Sequence, residues 1–201
     1  TTLYLAQEHY DIGLALSFDY GQRAAKQEMN AASFFAQKFN LPHQIIALNW
    51  LASISSSLLN QKDSSNLPQL SITELDDLEL TQKSAQAVWV PNRNGLFLNI
   101  AACFAEVQKA SVILTGFNRE EAQTFPDNTL EFTQAISQSL SYSTLNQVKV
   151  VSLVQNFSKR EIATEALRLN IPLDQIWSCY QGQAQPCNTC ESCLRFNRAF
   201  G

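Results

Sequence analysis

Apolar residues in the first fifty positions of this chain form short runs separated by an amphipathic stretch. Residues 12–18 (IGLALSF) and 43–48 (HQIIAL) are apolar runs bounded by polar or turn residues, a pattern typical of buried strands. Strand, helix, strand is the unit of a parallel α/β sheet. The intervening helix is predicted from apolar positions spaced by three and four residues: Ala25, Met29, Ala32, Phe35 and Phe39.

The same alternation continues through the second half of the chain. The pattern predicts a helix over 94–110 and strands over 112–115 and 148–154. Two capping boxes predict further helix starts. They are Asn128 with Glu131 and Ser158 with Glu161.

Residues 59–83 interrupt this order, because they are polar and show no sustained period. Long irregular segments inside compact domains are functional or disordered, so we predict a mobile excursion or lid there. The whole pattern predicts an α/β fold, a parallel sheet flanked by helices. We place this body at residues 1–172 and a C-terminal metal-binding segment at residues 173–201.

Composition limits the partners of the chain. Its 201 residues carry 14 Lys and Arg against 18 Asp and Glu, a net charge of −4, which argues against a general nucleic-acid surface. No apolar run approaches the roughly 18 residues of a membrane span, and the opening residues lack a secretory signal pattern. We therefore expect a cytoplasmic protein without membrane or direct nucleic-acid partners. Because Thr1 is not Met and residues 1–10 already have a helical pattern, we also expect residues upstream of Thr1.

Four of the five cysteines are clustered near the end of the chain with the spacing Cys-x7-Cys-x2-Cys-x2-Cys. Four thiolates complete the tetrahedral shell of a structural Zn²⁺ site and leave no open position for catalysis. The alternatives are an iron–sulfur cluster, two disulfides or four unrelated thiols. The fifth, Cys103, is predicted to be a small buried residue on a helix. The clustered residues are Cys179, Cys187, Cys190 and Cys193.

Two polar segments have the positions of candidate sites. Arg93 lies where a predicted helix begins, and a helix N-terminus with an arginine can bind phosphate or carboxylate. Residues 116–128 follow the predicted strand 112–115, at the edge where open α/β sheets bind ligands. Each has an ordinary alternative: a solvated arginine at a helix start, or a surface ion-pair cluster around Arg119. The two histidines, His9 and His43, have surface or turn positions and do not predict a histidine base.

Five motifs in order resemble those of the 7-cyano-7-deazaguanine synthase family, the ATP-dependent nitrile-forming enzymes of queuosine precursor synthesis. They are residues 17–23 (SFDYGQR), 90–94 (VPNRN), 115–118 (TGFN), 125–127 (FPD) and the cysteine array, and they cover nearly the whole chain. The resemblance implies a PP-loop (N-type) ATP pyrophosphatase with a Rossmann-like, adenine-nucleotide α-hydrolase-like fold. It also implies structural Zn²⁺ on the four cysteines, ATP with Mg²⁺, and a homodimer.

The family's hallmark loop, Ser-Gly-Gly-x-Asp-Ser, does not occur in this sequence. Thr1 and Thr2 resemble the pair that follows it. The remaining alternatives are another PP-loop enzyme such as a tRNA-thiolating one, a zinc-ribbon binding module, or a non-catalytic paralogue.

The resemblance implies a reaction and a set of site residues. ATP activates the carboxylate of 7-carboxy-7-deazaguanine, ammonia forms the amide, and a second activation leaves the nitrile. The implied roles are nucleotide binding for Thr1, Thr2, Asp19, Tyr20, Gly21 and Gln22; catalysis for Arg93, Arg119 and Asp127; and substrate binding for Asn92, Asn94, Glu121 and Phe125.

Overall fold

A computed structural model describes residues 1–61 and 67–201 of the chain. These residues form two compact units. The first unit contains residues 1–13 and 92–171, and the second contains residues 14–91 and 172–201. The predicted C-terminal segment, residues 173–201, lies in the second unit, and its separation from a body at 1–172 stays a prediction.

The described residues contain parallel strands and flanking helices, which confirms the predicted α/β class. Short 3-10 turns occur at Ile72–Asp76, Glu121–Gln123, Pro126–Asn128 and Leu173–Gln175. The α-helices and strands in chain order are α1 (Thr2–Ala6), β1 (Ala15–Asp19), α2 (Ala25–Lys38), β2 (His43–Ala47), α3 (Asn49–Ile54), α4 (Leu78–Ala87), α5 (Arg93–Val107), β3 (Val112–Thr115), α6 (Leu130–Ser143), β4 (Lys149–Ser152), α7 (Lys159–Arg168) and α8 (Glu191–Phe200).

The four strands pair in parallel, one pair in each unit. In the second unit β1 pairs with β2 from Ala15 opposite His43 to Asp19 opposite Ala47. In the first unit β3 pairs with β4, and the last pair is Thr115 opposite Ser152. Polar segments therefore follow the carboxyl ends of both pairs, where ligands bind in open α/β sheets.

The core of the first unit lies beside the β3–β4 pair and contacts the loop that follows β3. Helices α5 and α6 pack beside this strand pair, and small alanines on α5 allow close approach. The Phe117 and Phe132 rings meet edge to face at 6.2 Å beside the core, which anchors the loop after β3. The buried core residues are Leu98, Ala102, Ala105, Leu140, Val148 and Val150.

The prediction of an irregular segment over 59–83 is wrong for residues 72–83. A 3-10 turn at Ile72–Asp76 leads into α4, and the Asp77 carboxylate caps α4 by accepting hydrogen bonds from the Glu79 and Leu80 N–H groups. The helix is hard to recognise because its buried face includes Thr81 and Ser84, so no apolar period is visible. The part of the prediction on residues 62–66 lies outside the described residues.

Several smaller predictions are corrected or confirmed. The first strand begins at Ala15 instead of Ile12, and α6 is capped by the Thr129 hydroxyl, which accepts from the Phe132 N–H at 3.1 Å, instead of by Asn128. Cys103 is exposed, so the prediction that it is buried is wrong. The capping box at Ser158 is confirmed. Among the described residues, no helix is long and apolar enough to cross a membrane.

His43 is the first residue of β2, within the predicted strand 43–48. Its Nε2 and Nδ1 atoms form hydrogen bonds with the Ser17 and Ser33 hydroxyls at 2.9 and 3.1 Å. Burial lowers the pKa of this imidazole below its usual value. We therefore read His43 as a structural bridge between β1, β2 and α2.

Candidate functional site

The four C-terminal cysteines converge on one point in the second unit. Their Sγ atoms all lie within 4.8 Å of one another, with Cys179 at 3.5 Å and Cys193 at 4.0 Å from Cys187. Four Zn–S bonds of about 2.3 Å in a tetrahedron would separate neighbouring sulfurs by about 3.8 Å. All four are free thiols, so the disulfide alternative does not describe this arrangement. The donor set and its spacing fit one tetrahedrally bound metal ion.

Backbone N–H groups surround these sulfurs. The Gln181 and Cys187 N–H groups donate to Cys179 Sγ at 3.3 and 3.4 Å, and the Cys190 N–H donates to Cys187 Sγ at 3.3 Å. Such bonds stabilise thiolates, the form in which cysteine binds metal. Cys190 is the N-cap residue of α8 and Cys193 lies in its first turn, so one helix start positions two ligands.

The thiols differ in how readily they lose a proton. Burial opposes ionisation of Cys187, but hydrogen bonds from Thr189 and Cys190 outweigh it and lower the pKa of Cys187 to about 6. Burial raises the pKa of Cys190 to about 11 and also raises the pKa of Cys193. Metal binding at this cluster must therefore release protons, chiefly from the buried thiols.

A tight turn follows β1 in the second unit. The Asp19 carboxylate accepts from the Gly21 N–H at 3.0 Å, and Gly21 has a positive φ of 80°, which favours glycine. The Gln22 amide accepts from the Tyr20 N–H and donates to the Phe18 carbonyl and the Glu28 carboxylate. Tyr20 and Gln22 are 5% exposed, so they shape the turn, whereas Gly21 is exposed.

Asn60 is a candidate that the sequence reasoning missed. Its amide nitrogen donates to the Tyr20 carbonyl at 3.0 Å, so the side chain is fixed against the turn. Its Oδ1 atom is buried and accepts no hydrogen bond from the described residues. Such an acceptor beside the predicted nucleotide turn can receive an N–H group of a ligand. The only sequence signal was its place at the start of the polar stretch.

The loop after β3 in the first unit is held by its own polar residues. The buried Asn118 side chain accepts from the Glu121 N–H at 3.1 Å, and the Arg119 N–H donates to the Phe157 carbonyl at 3.0 Å. The Thr2 hydroxyl lies near Gly116, because a Cβ placed on that glycine would be 3.7 Å from Thr2 Oγ1. The Thr1 hydroxyl donates to the Ile162 carbonyl at 3.4 Å.

Charged side chains gather where this loop meets α7. Arg119 pairs with Glu161 at 2.9 Å, and both side chains are more than half exposed. Lys159 pairs with Glu121 at 2.5 Å with less than a third of either side chain exposed. Lys159 and Glu161 were recognised only as part of a helix start, because sequence spacing does not reveal which loop lies beside that helix. We name Arg119, Glu121, Lys159 and Glu161 the loop charge cluster.

Arg93, Asn94 and Asp127 lie together elsewhere in the first unit. Arg93 is the first residue of α5, and Asn94 is buried. Burial raises the pKa of Asp127 above its usual value, although the Arg93 guanidinium and hydrogen bonds from Asn128 and Asn94 act in the opposite direction. A partly desolvated carboxylate beside an arginine is the kind of group that exchanges protons or binds a polar ligand.

Two further predicted residues of this unit have backbone roles. Asn92 has a left-handed φ of 49° before α5, and a Cβ on Gly95 would lie 2.2 Å from its Oδ1 atom. The Phe125 N–H donates to the Glu121 carbonyl at 2.9 Å, which places the phenyl group immediately before the 3-10 turn that carries Asp127.

Comparisons with known proteins agree on one family. A family model described as "Queuosine biosynthesis protein QueC" matches residues 1–201. The chain is 50% identical over 198 residues to the 7-cyano-7-deazaguanine synthase of Desulforamulus reducens, covering 98% of this chain and 86% of that protein. It is 50% identical over 189 residues to the synthase of Pelotomaculum thermopropionicum, covering 94% and 85%. It is 44% identical over 201 residues to that of Methanosarcina barkeri, covering 98% and 87%.

Proposed function

Because this chain belongs to the queuosine biosynthesis protein QueC family, we propose that it converts 7-carboxy-7-deazaguanine, ammonia and ATP to 7-cyano-7-deazaguanine. The observation that carries this proposal is the match over the whole chain, at up to 50% identity, to relatives named for that nitrile. The same match does not favour a tRNA-thiolating enzyme or a non-catalytic zinc-binding paralogue.

The proposed reaction has two activations. A carboxylate oxygen attacks the α-phosphorus of ATP and pyrophosphate leaves, which gives an acyl adenylate. Ammonia attacks the carbonyl carbon, AMP leaves, and the amide forms after loss of a proton. A second ATP then adenylates the amide oxygen with release of pyrophosphate and one N–H proton, and loss of AMP and the other N–H proton leaves the nitrile. Both adenylations depend mainly on positioning and charge stabilisation.

The charged residues of the first unit suit the stabilisation that these steps need. We assign Arg93 to the phosphate or the substrate carboxylate, where a guanidinium can form two charge-assisted hydrogen bonds. We assign Asn92 and Asn94 to substrate binding beside Arg93. Arg119 and Lys159 supply further cations once a ligand replaces their carboxylate partners Glu161 and Glu121.

Asp127 is the candidate proton acceptor for ammonium or the amide. Burial raises its pKa, and a carboxylate with a raised pKa accepts a proton more readily than an ordinary aspartate. Phe125, one residue before Pro126 and Asp127, can stack on the deazaguanine ring, and Glu121 can pair with its amino and ring N–H edge.

The turn after β1 is our proposed contact for the nucleotide. Asp19 is the last residue of a parallel strand and Gly21 follows it, and Asn60 adds a buried acceptor beside them. Thr1 and Thr2 are assigned to nucleotide binding by resemblance. Mg²⁺ bound to ATP would neutralise part of its phosphate charge.

Zn²⁺ is our proposed occupant of the four-cysteine site, since four thiolates in a tetrahedron are its usual structural shell. It takes no part in the reaction, because four protein ligands leave no open position. We also propose that the protein is a cytoplasmic homodimer, for which light scattering of the purified protein gives the mass.

The test uses the full-length protein. Incubated with ATP, Mg²⁺, ammonium chloride and 7-carboxy-7-deazaguanine, it should form the nitrile and two AMP per nitrile, measured by liquid chromatography and mass spectrometry. Cys103→Ser, at an exposed thiol, is the control variant and should keep full activity. Folded, metal-loaded protein that forms neither amide nor nitrile would overturn the proposal. Thiolation of added tRNA would select the alternative enzyme.

A further inference from the structure

Arg23 connects three segments of the second unit. Its Nε atom donates to the Gln61 carbonyl at 2.5 Å, its Nη2 to the Leu58 carbonyl at 2.6 Å, and its Nη1 to the Gln181 side-chain oxygen at 3.2 Å. Its backbone N–H donates to the Leu59 carbonyl at 3.0 Å. A solvated surface arginine would not make this set of directed bonds, so its planar donor group is used for positioning.

The contact on the cysteine side leads directly to a metal ligand. Gln181 accepts from Arg23 through its side chain, and its backbone N–H donates to Cys179 Sγ at 3.3 Å. Nearby, the Gln27 amide donates to the Gln183 carbonyl at 2.9 Å. The segment 181–183 therefore bonds to a ligand sulfur at one end and to residues 23 and 27 along its length.

Gly182 makes this contact possible. A Cβ on Gly182 would lie 1.9 Å from the Arg23 carbonyl oxygen and 2.8 Å from the Arg23 carbonyl carbon. Both of these are backbone atoms, which cannot rotate away as the end of a side chain can. Any larger residue at 182 must therefore push the cysteine segment away from Arg23.

The residues that directly precede Arg23 form the turn after β1. Arg23 follows Gln22 directly, and Gln22 holds that turn through the Tyr20 N–H and the Phe18 carbonyl. Asn60 lies beside the turn and next to Gln61, whose carbonyl accepts from Arg23. A shift of Arg23 must therefore move the turn or its neighbouring segment.

We propose that Arg23 is a positioning residue that couples the four-cysteine centre to the turn Asp19–Gln22, so that metal binding and nucleotide binding strengthen each other. The nucleotide half of this coupling rests on the proposed function. Coupling between two sites is reciprocal. A ligand at the turn must raise the affinity for the metal by the same factor as the metal raises the affinity for that ligand. Reciprocity applies to affinities, and tighter metal binding is measured here through slower metal release, a readout that needs no catalysis.

The experiment measures how fast a chromogenic chelator removes zinc from the natural gene product, with and without a non-hydrolysable ATP analogue and excess Mg²⁺. In the unmodified protein the analogue should slow release by about fivefold or more. Arg23→Ala and Gly182→Ala should release zinc faster without nucleotide and should lose the protection. Arg23→Lys keeps the positive charge but lacks the planar guanidinium group. Its rate of zinc release should lie between those of the unmodified protein and Arg23→Ala.

Two matched controls separate this coupling from general damage. Lys26→Ala removes an exposed cation three residues away. Gly13→Ala adds a Cβ that meets only the end of the Gln108 side chain, at 3.2 Å. Both should behave like the unmodified protein in release rate and thermal melt.

The outcomes distinguish the two proposals. Arg23→Ala with an unchanged release rate and full nucleotide protection would overturn the role of Arg23. Nucleotide that binds the unmodified protein without slowing metal release would overturn the coupling and leave the proposed function intact. Absence of nucleotide binding would overturn the proposed function and the coupling, while faster zinc release from Arg23→Ala would still support the link from Arg23 to the metal centre.

Discussion

The four-cysteine centre and the loop charge cluster use polar groups in opposite ways. Around the cysteines, backbone N–H groups point at buried sulfurs, so the site is complete before any small molecule arrives. In the loop charge cluster, Arg119 and Lys159 already pair with carboxylates that are accessible to solvent. A ligand must displace those carboxylates to use the cations. The first arrangement is suited to permanent metal binding, and the second is suited to charges that change partners during a reaction.

Removal of one metal ligand should have the largest effect, and it tests whether the cysteine centre is permanent. Cys193→Ser takes a buried sulfur from the first turn of α8 and should reduce bound zinc from about one ion per chain to almost none. We expect a loss of stability greater than about 3 kcal/mol, because metal binding contributes directly to folding. Elemental analysis and denaturant unfolding measure both quantities.

Cys103→Ser is the control, since Cys103 is exposed and should change neither quantity. An iron chromophore in anaerobically prepared protein would support the cluster alternative and contradict the zinc assignment.

Arg93 tests the opposite expectation, a large loss of activity with little loss of stability. Charge-assisted hydrogen bonds are worth about 1.5 to 3 kcal/mol each, so Arg93→Ala should lower kcat about 10- to 100-fold if they strengthen during adenylation. Arg93→Lys should recover part of the loss, because an ammonium cannot form the bidentate fork. Arg160→Ala, at an exposed position of α7, should leave kcat unchanged. Normal kinetics in Arg93→Ala, or a collapsed melt, would remove Arg93 from the proposed site.

The half-buried ion pair of the loop charge cluster should be stronger than a fully exposed one. A double-mutant cycle with Lys159→Gln and Glu121→Gln should give a coupling energy of about 1 kcal/mol. The matched pair is Lys83 with Glu79, at 2.6 Å but mostly exposed, which should give less than about 0.5 kcal/mol. Equal values from unfolding experiments would mean that the burial of the first pair has no energetic consequence.

The sequence predicted the cysteine centre well because the spacing of its ligands nearly determines it. Two Cys-x2-Cys steps and a helix start bring three sulfurs together locally, and Cys179 needs only one further turn of chain. The parallel α/β pairing was also predictable, because its apolar runs are short and clearly bounded.

The loop charge cluster was only half predictable. Arg119 and Glu121 follow a strand and were identified, but Lys159 reaches them through a contact across about forty residues, which no local pattern encodes. The role of Arg23 was missed for the same reason, since Gln181 is 158 residues away in sequence. Helix α4 escaped notice because its buried face carries hydroxyl groups instead of apolar side chains.

Asp127 gives the smallest expected effect. Its pKa is raised in the folded state above the usual 3.8, so the folded protein holds this proton more tightly than the unfolded chain does. The stability that Asp127 contributes is therefore fully present below its unfolded pKa and is lost as the pH rises through the raised folded value. Asp127→Asn removes the titrating carboxyl group. The free energy of unfolding of the variant, relative to that of the unmodified protein, should therefore increase as the pH rises from 4 to 8.

The Arg93 guanidinium opposes this trend, because it favours the Asp127 carboxylate. In the Arg93→Ala background the pKa of Asp127 should rise further. The increase with pH in the relative free energy of unfolding of Asp127→Asn should then be larger. Asp11→Asn, at an exposed carboxylate of the same unit, controls for the general loss of one negative charge. If the stability difference for Asp127→Asn were independent of pH, or were unaffected by Arg93, then burial would not govern this carboxylate. If it follows the expected course, the ionised form of Asp127 that the proposed reaction uses is held at a cost in stability, whereas metal bound at the cysteine centre is expected to stabilise the fold.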